Sequence, residues 1–230
     1  MHLTWLGHAS FRIEIGGEVL LLDPWLRGNP SFDEARFDEA VAGVTAILLT
    51  HGHFDHIASA AEAARAASAP IYGIYDLVSW LTATEEIEGV GFNKGGTVTI
   101  GSVSVTMVNA VHSSSATVDG KPVYTGGEAG FVISAGGETL YVAGDTDVHS
   151  DMALIQELHH PKVAILPIGG HFTMDAARAA FACRKFFSFN AVVPSHYKTF
   201  PLLAQSADAF AAMIAPTPVA APAVMERIAL

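Results

Sequence analysis

The stretch Thr50-His51-Gly52-His53-Phe54-Asp55-His56 carries three imidazoles and one carboxylate within the six positions from 51 to 56. It directly follows the apolar run Ala46-Ile47-Leu48-Leu49, which is typical of a buried strand. A strand that runs into a short loop can present neighbouring side chains around one point, and imidazole with carboxylate is a donor set that suits zinc and similar first-row ions. The stretch therefore predicts a metal site at the end of a strand, in preference to a polar turn with accidental histidines.

Three isolated residues are candidates to complete this site, namely His112, Asp145 and His196. Each follows an apolar run and precedes small or turn residues, so each is expected at a strand end, where loops carry function on a rigid support. A lone histidine after a strand is more often structural than a ligand. Three such residues together with the cluster at 51–56 favour a shared site, because one loop cannot supply enough donors for two ions.

The order of these residues resembles the metallo-β-lactamase superfamily of metal-dependent hydrolases. Within it, the chain is similar to a bacterial branch of uncharacterised metal-dependent hydrolases related to the ascorbate-6-phosphate lactonases and, more distantly, to the N-acylphosphatidylethanolamine phospholipases. The markers of this branch are Gly7-His8-Ala9-Ser10, Leu22-Asp23-Pro24, Tyr124-Thr125-Gly126, Leu166-Pro167-Ile168-Gly169, Phe172-Thr173-Met174 and Tyr197-Lys198-Thr199-Phe200-Pro201. The resemblance spans nearly the whole chain and implies an α/β fold, a four-layer αββα sandwich in one domain over residues 1–230.

The resemblance also implies a role for each candidate ligand. His51, His53 and His112 would bind one divalent ion, and Asp55, His56 and His196 a second. Asp145 would bridge the two, since a carboxylate has two oxygens and can hold ions about 3.5 to 4 Å apart. Zinc is the expected metal, with manganese, iron and nickel as alternatives. Asp23 would lie beneath the ligand loop and orient a metal-bound imidazole.

The chemistry implied is hydrolysis by a hydroxide held between two ions. Asp55 is the expected catalytic residue, because a carboxylate within hydrogen-bond reach of the nucleophile can orient it and receive its proton. His8 is expected to support a ligand or line the pocket. His171 is expected to face a substrate anion or leaving group, or else solvent, and Lys198 to bind an anionic group or else to be solvated.

Composition narrows the classes of partner. The chain has 230 residues and a net charge of -11, with only twelve lysines and arginines. Proteins that bind nucleic acid backbones need clustered basic residues, so a nucleic-acid partner is not expected. No apolar run approaches the length of a bilayer span, and the start of the chain does not resemble a signal peptide. We expect a cytoplasmic protein without a membrane partner, and the sequence leaves open a homo-oligomer.

Local patterns predict three hairpins and five helices. Paired glycines, or glycine with serine, separate apolar segments at Gly16-Gly17, Gly101-Ser102 and Gly136-Gly137, which favours tight turns between strands. Helices are predicted over residues 57–67, 76–81, 152–158, 175–187 and 204–214. A last short strand is predicted near residues 224–228, and Cys183, the single cysteine, is predicted as a small buried side chain of a helix.

Three classes of function remain open from the sequence. The first is a hydrolase of a small-molecule ester, lactone, amide or phosphoester. The second is a di-iron redox protein on the same fold, although that kind carries an appended flavin domain, which we do not expect here. The third is a metal-binding protein without turnover. The substrate follows from neither the residues nor the resemblance.

Overall fold

The first of two large β-sheets is built mainly from the first 92 residues of the chain. The computed structural model describes residues 1–230. The seven strands of this sheet are β1 (His2–Trp5), β2 (Phe11–Ile15), β3 (Glu18–Leu22), β4 (Ala46–Leu49), β5 (Ile71–Ile74), β6 (Gly89–Phe92) and β15 (Arg227–Ala229). They lie in the order β15-β1-β2-β3-β4-β5-β6. Pairing is antiparallel from β15 to β3 and parallel from β3 to β6.

The second sheet contains six strands from the remainder of the chain. They are β7 (Thr97–Ile100), β8 (Val103–Asn109), β11 (Ala129–Ala135), β12 (Glu138–Val142), β13 (Val163–Pro167) and β14 (Ala191–Ser195). Their order is β14-β13-β12-β11-β8-β7, with the three strands β12, β13 and β14 parallel and the others antiparallel. Two further strands, β9 (Ser115–Val118) and β10 (Lys121–Tyr124), form a separate hairpin.

Seven α-helices lie between strands, most of them between the parallel strands of the two sheets. They are α1 (Phe37–Val41), α2 (Phe54–Ile57), α3 (Ala60–Ala67), α4 (Tyr75–Glu85), α5 (Met152–His159), α6 (Ala176–Phe186) and α7 (Asp208–Ile214). Because a parallel connection must cross the face of its sheet, α3 and α4 cover the first sheet, and α5 and α6 cover the second. None of the helices is long and apolar enough to pass through a bilayer.

Burial explains why some strands are apolar at every position. All residues of β4 and of β13 are buried, since strands of a parallel sheet that is covered on both faces meet no water. Apolar side chains from both sheets and from the helices join one core of 60 buried residues. Two sheets packed face to face with helices outside are the four-layer αββα sandwich that the sequence predicts.

The three predicted hairpins are confirmed. Strand β2 pairs with β3, β7 with β8, and β11 with β12, each through the predicted two-residue turn. At the first turn Gly16 and Gly17 both have positive φ, +60° and +85°, a conformation that glycine adopts at little cost.

Three predicted helices and the last strand have different bounds in the structure. The helix predicted over 76–81 is longer and spans Tyr75–Glu85. The helix predicted over 57–67 is broken into α2 and α3 at Ser59, whose N–H donates to Pro24 O and whose Oγ accepts from Leu26 N and Arg27 N. The last predicted helix starts only at Asp208, because Ala204 hydrogen-bonds through its N–H to Gly169 O. The last strand is Arg227–Ala229, after a turn in which Glu226 N donates to Ala223 O.

The hairpin of β9 and β10 was not predicted, although the sequence contains its signal. Asp119 and Gly120 form its turn, both with positive φ, +50° and +71°. Asp-Gly between two strand-forming segments is a strong local signal for a two-residue hairpin turn. The short strands Ser115–Val118 and Lys121–Tyr124 lack a continuous apolar face, so periodicity alone did not reveal them.

Candidate metal centre

The candidate ligands lie after the carboxyl ends of strands that share one edge of the molecule. His51 follows β4 of the first sheet, while His112, Asp145 and His196 follow β8, β12 and β14 of the second. The strands β8, β12 and β14 run in the same direction, so their ends meet at one edge of their sheet. The fold thus brings residues more than 140 positions apart into one cluster between the sheets.

Asp145 is at the centre of this cluster and is buried, with 3% of its surface exposed. Its Oδ2 atom faces four imidazole nitrogens. The distances to the Nε2 atoms are 3.0 Å for His196, 3.3 Å for His56, 3.6 Å for His112 and 3.9 Å for His51. This carboxylate oxygen and the imidazole nitrogens around it form a donor set that could hold a metal ion.

The remaining donor atoms fall into two groups on either side of Asp145. The donor atoms of His51, His53 and His112 lie within 4.8 Å of one another, and so do those of Asp55, His56, His196 and His8. His51 Nε2 is 3.0 Å from His53 Nδ1, and Asp55 Oδ2 is 3.8 Å from His196 Nε2. Two ligand bonds of about 2.1 Å at a tetrahedral angle place the donors roughly 3.4 Å apart. The observed spacings fit donors that share an ion.

His56 shows most directly that the cluster fits a cation. Its Nδ1 donates to Asp23 Oδ2 at 2.8 Å, so Nε2 is the nitrogen that faces the cluster, where it is buried and has no hydrogen-bond partner. This nitrogen lies 3.3 Å from Asp145 Oδ2, and a buried pair of this kind needs a proton or a cation between its members. A divalent ion between them would satisfy both.

The electrostatics of the cluster favour an ionised Asp145 and three neutral imidazoles, and they distinguish His56 from these three. Burial raises the pKa of Asp145, but His196 and His56 lower it more, and the carboxyl is held well below its usual range. Burial lowers the pKa of His51 well below its usual range and also lowers those of His53 and His112. An ionised carboxylate and neutral imidazoles are the forms that bind metal ions. Burial lowers the pKa of His56, but Asp145 and Asp23 raise it more and hold it well above its usual range, so an ion bound at Nε2 would replace a proton there.

Asp23 supports the ligand loop from below. Its buried carboxylate accepts hydrogen bonds from Thr50 N at 2.8 Å, from Thr50 Oγ1 at 2.6 Å and from His56 Nδ1 at 2.8 Å. Asp23 has a φ of +43°, a left-handed conformation that costs free energy for a residue other than glycine. The backbone is thus held in an unusual state that places this carboxylate under both the strand end and the imidazole.

His8 lies against the second group of donors and is fully buried. Its Nε2 is 3.0 Å from Asp55 Oδ2, and its Nδ1 is hydrogen-bonded to Thr199 Oγ1. Its carbonyl oxygen accepts from His196 N. Burial, as the largest influence, lowers the pKa of His8 to about 4, so the ring is neutral near pH 7. Because both ring nitrogens are engaged, His8 is arranged to position Asp55 rather than to bind an ion itself.

Replacing His8 with alanine should weaken zinc binding about tenfold, because Asp55 loses the hydrogen bond that orients it. Competition with a chromophoric chelator measures the affinity, and the melting temperature of the metal-free protein checks that the variant folds. The matched control is His171→Ala, which removes an exposed imidazole and should bind zinc as the wild type does. Equal zinc affinities for all three proteins would contradict the positioning role.

The structure does not bring His171 and Lys198 into the site. His171 is exposed, and its ring contacts Phe172 edge-on at 4.5 Å. The ammonium of Lys198 is exposed and lies 5.3 Å from the ring of Tyr197, where a cation is attracted to the aromatic face. Neither residue lines the cavity beside the donors, whereas Phe172 does. The prediction that they face the substrate is therefore not supported by their positions.

A cavity of about 540 Å³ opens beside the donor cluster. Its inner end is formed by candidate ligands, namely His53, Asp55, His112, Asp145 and His196. Hydroxyl side chains of Ser113, Ser115 and Thr117 form a second part of the lining, and Phe54, Phe172, Phe200, Pro201 and Leu202 form a third. Ser115 and Thr117 belong to β9, so the hairpin that sequence reasoning missed supplies part of the pocket. Its volume is in the range of small-molecule sites.

Two glycines allow the ligand loops to approach their neighbours. A Cβ on Gly52 would clash with Thr125 Oγ1, and a Cβ on Gly169 would clash with the carbonyl oxygen of His196. Each glycine lies next to a candidate ligand or packs against it. Any larger residue would therefore displace a donor.

The class of protein follows from the comparison of the sequence with known families. Residues 2–196 match the β-lactamase superfamily domain. The chain therefore belongs to the β-lactamase superfamily. It is 58% identical over 230 residues, covering all of both chains, to the UPF0173 metal-dependent hydrolase of Dinoroseobacter shibae. At this identity, the chain is a member of that family of metal-dependent hydrolases.

Solved structures agree with this assignment. A novel metallo hydrolase from the hyperthermophilic archaeon Ignicoccus hospitalis superposes with a TM-score of 0.87 at 32% identity, covering 99% of this chain and 97% of that chain. A possible metal-dependent hydrolase from Veillonella parvula has a TM-score of 0.79 at 21% identity, with 100% and 99% coverage, and shows a shared fold. The relation to ascorbate-6-phosphate lactonases stays a prediction.

Proposed function

We propose that this chain hydrolyses an ester, lactone, amide or phosphoester of a small molecule with the aid of two divalent ions, zinc being the first candidate. The observation that carries the proposal is the position of Asp145, whose Oδ2 lies 3.0 to 3.9 Å from four imidazole nitrogens. A cavity of small-molecule size opens directly onto this group. Family membership supports the proposal that the cluster serves hydrolysis.

The donor set supports a site for two ions. His51, His53 and His112 would hold one ion and Asp55, His56 and His196 the other, with Asp145 shared between them. When bound, such ions supply a water nucleophile at neutral pH and polarise the bond under attack. Asp23 holds His56 in the tautomer that directs its lone pair inward.

The protein's own groups would then bind and orient the substrate and move one proton. Asp55 is a candidate ligand that also lines the cavity, and His8 fixes its carboxylate. A carboxylate in this position can take the proton of the attacking water and return it to the leaving oxygen or nitrogen. The side chains of Phe172 and Phe200 line the cavity, and a substrate packed against them would exclude water from that side, which strengthens electrostatic interactions inside it.

Metal removal tests the proposal. Protein treated with a chelator and freed of metal should not hydrolyse a panel of lactones, phosphodiesters and amides above the uncatalysed rate. Addition of zinc should restore turnover of at least one class, and the recovery should reach its plateau at two equivalents per chain. Full activity without metal, or a plateau at one equivalent, would contradict the two-ion proposal.

Metal analysis of protein purified without added metal separates the alternatives. Iron together with oxygen consumption would support a redox protein instead. Two bound ions without turnover of any substrate in the panel would support a binding protein.

A further inference from the structure

The cavity beside the donor cluster contains no lysine or arginine in its lining. Its only ionisable side chains are the candidate ligands themselves. The nearest basic residue along the chain, Lys198, is exposed and associates with the ring of Tyr197. An anionic group held away from the reacting bond would therefore find no cationic partner, and the overall charge of -11 would also repel it.

One wall of the cavity presents large apolar side chains to water. Phe54, Phe172 and Leu202 are 58%, 49% and 64% exposed, and all three surround the same opening. Single exposed apolar residues are ordinary on a protein surface, but a group of them around a concave site is typical of a binding surface. This wall is thus suited to cover an apolar part of a ligand.

The apolar wall is held in place from behind by Trp25, which is 4% exposed. The Trp25 ring stacks on Phe200 with centroids 5.6 Å apart and meets Phe54 edge-on at 5.5 Å. His8 packs edge-on against both Trp25 and Phe200, at 5.3 and 5.5 Å. The same buried imidazole therefore contacts the apolar wall and the carboxylate of Asp55. A wall ordered before the ligand arrives loses little entropy on binding.

Another part of the cavity lining offers hydroxyl groups. Ser113, Ser115 and Thr117 are neutral donors and acceptors, and they can pair with an ether, carbonyl or hydroxyl oxygen of a ligand. Such groups do not replace the charged partner that a carboxylate or phosphate would need. The cavity lining thus combines apolar side chains, neutral hydroxyl groups and the candidate ligands.

We infer that the substrate of this site is an uncharged acyl compound, an ester or lactone with an aromatic or branched aliphatic group next to the scissile bond and no anionic group elsewhere. This inference rests on the proposed hydrolytic function and narrows its substrate class. In the reaction, a water oxygen bonds to the carbonyl carbon and the acyl–oxygen bond breaks. One water proton passes to the leaving oxygen, and the other is released as the product acid ionises.

Three lactones test the substrate class on zinc-loaded protein. They are γ-butyrolactone, its γ-phenyl derivative and the same phenyl derivative with a para-carboxylate. Burying a phenyl group should raise kcat/KM about tenfold to hundredfold over the unsubstituted lactone. The carboxylate should remove most of this gain, because the charge meets no cation at the apolar wall.

Two substitutions test whether the preference for the neutral phenyl lactone depends on residues that line the cavity. Phe172→Ala should lower kcat/KM for the phenyl lactone about tenfold and for the unsubstituted lactone less. Thr117→Lys should raise the rate with the carboxylate lactone relative to the neutral one. The matched control is Leu158→Ala, which trims a leucine that is 71% exposed on α5 and does not line the cavity, so all three rates should equal those of the wild type.

The outcomes distinguish a wrong substrate class from a wrong proposed function. If zinc-loaded protein hydrolyses the lactones but prefers the carboxylate, or if Phe172→Ala leaves the preference unchanged, the inference is overturned and the hydrolytic function stands. If it hydrolyses no member of the wider panel, the proposed function is overturned. Calorimetric titration of metal-free protein with 5-phenyl-2-pyrrolidinone then decides the inference. Binding that is lost in Phe172→Ala supports an apolar ligand, and absence of binding overturns it.

Discussion

Asp145→Asn should reduce hydrolysis by zinc-loaded protein about a thousandfold or more and lower the zinc content per chain. The substitution keeps the shape of the side chain but removes the negative charge that faces four imidazoles. Without it, two cations in one buried site would repel each other. A loss of several kcal/mol in charge stabilisation corresponds to about this factor in rate. Steady-state kinetics and metal analysis of the dialysed variant measure the two effects.

The control for this variant is Cys183→Ala. The thiol is on α6, outside the donor cluster, and burial raises its pKa to about 12, so it stays protonated near pH 7. Its loss should leave both rate and zinc content unchanged, with at most a small decrease in stability from the trimmed side chain. Equal rates for the wild type and Asp145→Asn would end the argument for a shared carboxylate.

Asp23→Asn should weaken zinc binding by roughly 10 to 100-fold although Asp23 does not face the donor cluster. In the wild type its Oδ2 accepts from His56 Nδ1, which leaves Nε2 as the nitrogen that can bind an ion. An amide NH₂ at that position would donate to Nδ1 instead, and His56 would carry its proton on Nε2, facing inward. The wrong tautomer cannot bind an ion without losing that proton.

Two measurements distinguish this tautomer effect from unfolding. The ring nitrogens of His56 can be followed by ¹⁵N NMR in metal-free protein, where both should be protonated in the wild type and only Nε2 in the variant. The thermal midpoint should stay close to that of the wild type. Glu14→Gln, which changes a carboxylate of the first sheet far along the strand from the cluster, should alter neither readout. An unchanged zinc affinity for Asp23→Asn would show that Asp23 serves the strand end at Thr50 alone.

The candidate ligands could be predicted from the sequence because the loops that carry them follow strands with a clear apolar pattern. His51 comes after β4, all of whose residues are buried, and His196 comes after β14, which is also fully buried. Strand ends of parallel strands meet at one edge, so residues distant in sequence can be grouped from the order of the strands alone. The pairing of His56 with Asp23 needs the fold, since it depends on β3 and β4 being neighbours.

The residues that line the cavity could not be predicted from the sequence in the same way. His171 and Phe172 are adjacent in the chain, and only the direction of the loop places Phe172 in the lining and His171 outside. The sequence favoured His171 as the functional residue because an imidazole is more reactive than the ring of Phe172. Ser115 and Thr117 carry no chemical pattern of their own, and their position depends on the hairpin turn at Asp119-Gly120.

The candidate ligands lie in loops that follow strands of both sheets, so a bound ion would hold the two sheets together. His51, His53, Asp55 and His56 come from the first sheet, whereas His112, Asp145 and His196 come from the second. An ion held by both groups acts as a non-covalent crosslink across the sandwich. Each tenfold excess of free ion over its dissociation constant would then add about 1.4 kcal/mol to the free energy of unfolding. The free energy of unfolding would then depend on metal supply as well as on the apolar core.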